Sequence, residues 1–429
     1  MSATSPTPSP ATTTASSSTA APRIGFWVAS ALVVGNIIGA GIFLLPATLA
    51  PFGWSGVIGW LVTLAGALCL AWTFSELSRH FPDVGGAFGF MRLALGDVPA
   101  FIGAWGYWVS VWVANAAIAT GATAYLTRLT PAVEQVPGVA PAVTIGALWV
   151  LTWANLRGVK VAGGVQLVTT ILKLIPFVAV LGLVAMRLLR DGGGALAPLE
   201  AGAIDASQIV AATTLSLYAM LGLESAAVPA DRVKDPARTI PRATMFGTWL
   251  TGLISVICCS AVVLMLPARE VAQSSAPFAL FLSQSLGAAS GAFIAVCAIV
   301  SAWGALNGWV LLTGELPAAM ADSQRLPAWF GARNRHGAPA RSMVLSSVLT
   351  SLLVLANYSR SIASLFAFAV LLATATSLVL YLFCSLAAVV FMRQGRMPAS
   401  WSLRIAAVGA TIFAVWAFAG AGREALAWG

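Results

Sequence analysis

Over 429 residues the chain is 59% hydrophobic and only 9% charged, a balance that excludes an ordinary soluble globular domain. The net charge of +9 raises nucleic-acid binding, which the placement of the basic residues then excludes. The five cysteines (Cys69, Cys258, Cys259, Cys297, Cys384) all fall in apolar runs and read as small buried hydrophobes. The two histidines, His80 and His336, fall in expected loops, so no His-based metal site is expected.

Residues 1–22 are almost entirely Ser, Thr, Pro and Ala, with no charge before Arg23, and read as a disordered tail rather than a signal peptide. Apolar segments follow at about 24–50, 55–78, 99–128, 139–156, 161–189, 207–230, 241–266, 277–321, 342–358, 362–392 and 401–421. By length these make about eleven membrane crossings, the eighth long enough to hold a short extra helix before it. Lys and Arg divide unevenly between alternate loops. Sixteen lie on one side: Arg23, Arg79, Arg92, Arg157, Lys160, Arg232, Lys234, Arg238, Arg242, Arg325, Arg333, Arg335, Arg341, Arg393, Arg396 and Arg404. Six lie on the other, Arg128, Arg187, Arg190, Arg269, Arg360 and Arg423, and Lys173 is inside a segment. The positive-inside rule then places the N-terminus in the cytoplasm. The basic charge is topological, and nucleic acid is not a partner.

The first segment carries Gly35-Asn36-Ile37-Ile38-Gly39-Ala40-Gly41-Ile42-Phe43 in its middle. Glycine costs roughly 1 kcal/mol against alanine inside a helix, so Gly39 and Gly41 invite unwinding. Unwound backbone at membrane depth is tolerated where it lines a cavity, and its free N–H groups can hold a carboxylate. Close helix packing through small residues is the competing explanation. Five crossings later, Leu221-Gly222-Leu223-Glu224 is a second weak point with a carboxylate beside it. Two interrupted segments in corresponding positions point to an inverted-repeat transporter with a midplane site. The expected fold is an all-α membrane protein with a five-plus-five inverted repeat and broken helices 1 and 6. Its transporter domain spans 23–429, with repeat one at about 24–190, repeat two at about 207–393 and an accessory helix at about 401–421.

Ionisable groups inside a membrane face a cavity or a partner. Glu224 is therefore expected as a gate or proton-linked residue. Lys173 lies about halfway along its segment, too deep to snorkel easily; its ammonium could replace a bound cation and bridge unwound carbonyls. Asn115 either joins two helices or bonds a substrate side chain. Trp309, in Gly304-Ala305-Leu306-Asn307-Gly308-Trp309, has small neighbours that leave its ring face open for stacking. Tyr218 and Tyr381 read as ordinary buried aromatics. With no nucleophile–base pair and no metal cluster, neither an enzyme nor a cofactor is expected.

With these residues assembled, the chain resembles the amino acid–polyamine–organocation superfamily, and within it the basic amino acid/polyamine antiporters, which include arginine/agmatine exchangers. The resemblance rests on Gly35 to Pro46, Pro82-Asp83-Val84-Gly85-Gly86, Gly222-Leu223-Glu224-Ser225-Ala226, Asp235-Pro236 with Ile240-Pro241-Arg242-Ala243, and Gly308-Trp309. It implies that amides at Gly39, Ala40 and Gly41 receive a substrate carboxylate and that carbonyls at Tyr218, Leu221 and Gly222 receive its ammonium. Asn115, Ile118, Trp309 and Ala373 would shape the side-chain pocket, Tyr218 would be an outer gate, and Tyr107, Glu224 and Tyr381 an inner one. Ala40 stands where the exchangers carry serine, Ile118 for methionine, Ala373 for serine and Tyr218 for tryptophan. Lys173 looks like the lysine that stands in for sodium in related proton-coupled transporters. The family implies a twelfth helix, which this chain, ending at Gly429, does not supply.

The expected function is secondary transport of an amino acid across the bacterial inner membrane, exchanging it for a related amino acid or amine, with arginine or another basic amino acid as one candidate. The expected partners are that small substrate and the lipid bilayer, and a homodimer is compatible with the sequence. A proton-coupled neutral amino acid symporter is the first alternative, favoured by Lys173 and Ala40; a non-transporting amino acid sensor or partner subunit is the second.

Overall fold

The computed structural model describes residues 25–82, 84, 86–157, 159–200, 202–227, 233–356 and 362–420, with the backbone alone at 40, 159–167, 226, 362–363 and 419–420. Backbone N–H and C=O groups cannot be left bare in hydrocarbon, and helices satisfy them internally. The chain accordingly builds α1 (Phe26–Ile37), α2 (Ala40–Leu49), α3 (Gly53–His80), α4 (Gly86–Leu95), α5 (Asp97–Leu129), α6 (Ala132–Gln135), α7 (Val139–Leu156) and α8 (Val159–Asp191). Then come α9 (Ala206–Tyr218), α10 (Pro236–Met265), α11 (Ala268–Gln273), α12 (Pro277–Leu286), α13 (Ala288–Asp322), α14 (Ala328–Gly331), α15 (Ala340–Ala356), α16 (Ile362–Arg393) and α17 (Trp401–Gly420).

Nine helical stretches among the described residues are long and apolar enough to cross a membrane. The first, Phe26–His80, is 55 residues long and contains two passes, and the 17-residue α15 supplies a further apolar one, giving the eleven expected. The extra helix before the eighth pass is α12, cut from α13 where Gly287 takes a φ of 88°. His80 is not in a loop as expected; it is the last residue of α3, its Nδ1 2.9 Å from the Glu76 carbonyl one turn back. Calls on residues 1–22, Arg23, Asp83, Gly85, Arg232, Arg360 and Arg423 lie outside the described residues.

The helix pairs follow a pattern that survives exchange of the first five passes with the second five. α5 packs on α16 as α13 packs on α8, and α1 on α10 as α3 on α9. α7 packs on α13 as α15 does on α5, α1 on α8 as α9 on α16, and the short α4 on α16 as α12 on α8. This is the contact map of an all-α transporter built on an internal repeat. Hydroxyls join the helices, as in Thr63 donating to the Thr213 carbonyl (3.1 Å) and Thr350 to that of Trp112 (2.8 Å). Outward apolar side chains such as Val150, Trp153, Val178 and Ile412 are more than half exposed, as a lipid-facing surface requires. The molecule is a multi-pass membrane protein.

Candidate functional site

The first pass breaks where the sequence weakens it. α1 stops at Ile37, Ile38 and Gly39 leave the helical region, and α2 restarts at Ala40. Neither Ile38 nor Gly39 has a positive φ, so the break does not rest on glycine's left-handed freedom. In an unbroken helix Gly39 N–H would donate to Gly35; here it donates to the Ile37 carbonyl at 2.9 Å. The Gly35 carbonyl accepts instead from Lys173 Nζ on α8. The Asn36 carbonyl, whose helical donor would be residue 40, accepts from the Trp309 indole N–H on α13 at 3.1 Å. Both side chains are fully buried. A lysine able to snorkel would reach the interface; this one ends on the broken backbone, at one carbonyl rather than bridging several.

The second break closes on itself. After α9, the N–H groups of Ala219, Met220 and Leu221 each turn back three residues, onto Ser216, Leu217 and Tyr218 carbonyls at 3.1, 2.8 and 3.2 Å. Gly222 then takes a φ of 104° before a tight turn over Leu223–Ala226. A Cβ on Gly222 would lie 3.1 Å from Asn36 Cβ and 3.4 Å from Ile37 N, so glycine is needed for conformation and for contact between the breaks. Asn36 Nδ2 reinforces that contact by donating to Ser225 Oγ at 2.8 Å.

Between the breaks lies a cavity of about 10 Å³, room for about one water. Of the residues singled out from sequence, Gly39, Gly41, Ile118, Tyr218, Leu221 and Trp309 line it. Asn36, Ile37, Ala114 and Ala219 join them unforeseen. Gly41 answers to close packing as well as to a helix start: a Cβ there would meet the Tyr218 ring at 2.7 Å. That ring stands edge-on to Phe366, 6.1 Å between centroids. Asn115 and Ala373 are not among the lining residues. Asn115 is buried on α5 with its Oδ1 unpartnered among the described residues, and the Ala373 carbonyl accepts from Ser110 Oγ at 2.8 Å. Gly222 shapes the turn without lining the cavity, and Ala40 opens α2 through its backbone.

α1 shares one side of the cavity with the 223–226 turn, and α2 the other with α9. On the α1 side Glu224 is buried, accepting from Tyr107 OH at Oε1 and from Tyr381 OH at Oε2, the latter at 2.7 Å. Three residues far apart in sequence, expected together from the resemblance alone, thus form one cluster. On the α2 side Phe43 packs against Phe177 (5.0 Å), Phe278 (5.7 Å) and Tyr125 (5.8 Å), and Tyr125 OH donates to the Phe43 carbonyl at 2.7 Å. Sequence reading missed this cluster, since its four aromatics lie on four helices and share no motif.

Two interrupted helices meeting at a small cavity inside a membrane-spanning repeat define a secondary transporter. The profile of the amino acid permease family matches residues 24–425. The chain is 31% identical over 345 residues to the cadaverine/lysine antiporter of Escherichia coli, covering 80% of this chain and 76% of that one. It is 30% identical over 414 residues to the putrescine transporter PotE of Escherichia coli, covering 95% and 93%. With the putrescine transporter PotE of Haemophilus influenzae it shares 28% over 411 residues, covering 95% and 94%. The chain belongs to the amino acid permease family.

Proposed function

We propose that this protein exchanges a basic amino acid for a related amino acid or diamine across a bacterial inner membrane, with its N-terminus in the cytoplasm. The carrying observation is the cavity held between the two helix breaks. The α2 N-terminus has no side-chain cap, so its first amides, Ala40 to Ile42, are available to a carboxylate at the positive end of the helix dipole. Gly39 serves as the turn, its N–H already spent. Across from it, the 219–222 turn and the buried, unpartnered Asn36 Oδ1 offer acceptors for an ammonium. Ile118, Ala114 and the Trp309 ring suit the apolar stem of a basic side chain, and Asn115 Oδ1 and Ala373 come into reach as the cavity widens. The present cavity is too small for an amino acid, so binding requires opening. Segments 1, 2, 6 and 7 would rock against segments 3, 4, 8 and 9, each group drawn from both repeat one (about 24–190) and repeat two (about 207–393), with about 401–421 as an accessory helix.

Exchange is supported by the relative named a cadaverine/lysine antiporter, and a diamine as substrate by the relative named a putrescine transporter. Lys173 replaces a metal ion at the first break, so no inorganic cation is required, and a homodimer is compatible with the lipid-facing surface. The test is uptake of radiolabelled lysine or arginine into proteoliposomes preloaded with cadaverine, putrescine, ornithine, arginine, alanine or nothing. Uptake that needs a cationic internal substrate is expected. Uptake into empty vesicles driven by a pH gradient alone would contradict it.

A further inference from the structure

A second cavity, about 380 Å³, lies away from the helix breaks, where the starts of α1 and α10 pack together. Gly25 and Phe26 form one wall; Lys234, Asp235, Arg238 and Arg242 form the other. Two helix N-termini therefore converge on it. Neither has a side-chain cap, and α10 starts after Asp235 in the left-handed region (φ 48°) with Pro236 at its first position. Each contributes partial positive charge.

The side chains add to this field. Arg238 and Arg242, four residues apart, share one face at the start of α10, where like charges repel, and Lys234 lines the same cavity from just before the helix. Among the described residues none of the three is ion-paired; the carboxylates that are paired serve Arg79, Arg92, Arg190, Arg325 and Arg333. Asp235 is the one acidic residue in the wall, against three cations and two dipole ends. Among the described residues, positive charge gathers here without an anion that balances it.

The surroundings identify the source of that anion. Trp27 is 74% exposed with its ring 5.1 Å from that of Phe26, and the Phe26 ring lies 6.2 Å from that of Phe246, itself exposed. Aromatics of this kind sit at the level of lipid headgroups. A soluble anion would satisfy the cations and leave this aromatic rim bare, whereas a lipid covers both. Basic pockets between membrane helices are suited to anionic headgroups. We propose that the cavity binds a phosphate-bearing anion, supplied by the headgroup of an anionic phospholipid in the adjoining leaflet. The site is separate from the transport cavity and its occupancy does not depend on which substrate is carried. It would tie together α1 and α10, the first the N-terminal half of a broken helix, so lipid composition would bear on the transporter's stability.

The test is native mass spectrometry of the full-length chain in detergent, titrated with phosphatidylglycerol, with phosphatidylcholine of the same acyl chains, and with inorganic phosphate. The wild type is expected to retain phosphatidylglycerol over phosphatidylcholine, with the preference falling about fivefold for each charge removed in Arg238→Gln and in Arg238→Gln with Arg242→Gln. These side chains are exposed, and the single variant carries the test if the double one does not fold. Displacement of phosphatidylglycerol by inorganic phosphate supports phosphate as the recognised group. Equal retention of the two lipids, a preference that both variants keep, or binding of phosphate with no lipid preference overturns the proposal.

Discussion

The cavity between the helix breaks is flanked by two clusters of different chemistry. Toward α1, a carboxylate joins two phenols, Glu224 to Tyr107 and Tyr381. Toward α2, rings pack around Phe43. The polar closure is directional and has few partners; once broken it leaves buried groups unsatisfied, so something must compensate each of them. The aromatic closure is non-directional and its rings can slide and repack. A transporter with both has one side suited to respond to charge and another suited to respond to shape.

Glu224→Ala should have the largest effect, because it strands two buried phenol hydroxyls at about 1–3 kcal/mol each. Exchange in proteoliposomes is expected to vanish, whereas Glu224→Gln, which keeps an acceptor, retains part of it. Equal activity in both variants would remove the distinction between the two closures. Phe43→Ala is next: truncating a buried phenylalanine costs about 3–5 kcal/mol and leaves the ring cluster hollow. Here the expected outcome is leak, seen as efflux of preloaded substrate into buffer that contains none.

Lys173→Met keeps the volume of the side chain and leaves the Gly35 carbonyl bare, at an expected cost of about 1–3 kcal/mol in thermal unfolding. Gly222→Ala forces a left-handed alanine against Asn36, a further loss of about 1–2 kcal/mol, with exchange slowed because the breaks are pushed apart. Trp309→Phe is the mildest, removing one indole donor at about 1 kcal/mol while keeping a ring in the cavity wall; a weaker apparent affinity with little change in maximal rate would fit.

The breaks were legible in the sequence because glycine pairs and a lone carboxylate inside apolar runs have few physical explanations. What each glycine does was less legible. Gly222 needs its positive φ, Gly39 spends its N–H in a turn, and Gly41 makes room for the Tyr218 ring. The partner of Lys173 could be named only once the break had freed a carbonyl beside it. Asn36 stood within the quoted stretch, yet its two roles depend on Trp309 and Ser225, which lie 273 and 189 residues away. The Phe43 cluster had no local signal at all, since ring packing across four helices leaves no periodicity in any one of them. Ala373 came from the resemblance and Asn115 first from its place in an apolar segment, and neither is among the residues that line the cavity.

The most direct test of the account is whether the cavity between the breaks is where substrate sits. Radiolabelled lysine, arginine, ornithine, putrescine and cadaverine are offered to the purified protein in an equilibrium binding assay, alongside Ile118→Trp, which fills the cavity from α5. For whichever ligands the wild type binds, the account predicts that the variant, with an unchanged unfolding temperature, binds none. Binding of equal affinity in the filled variant would contradict it.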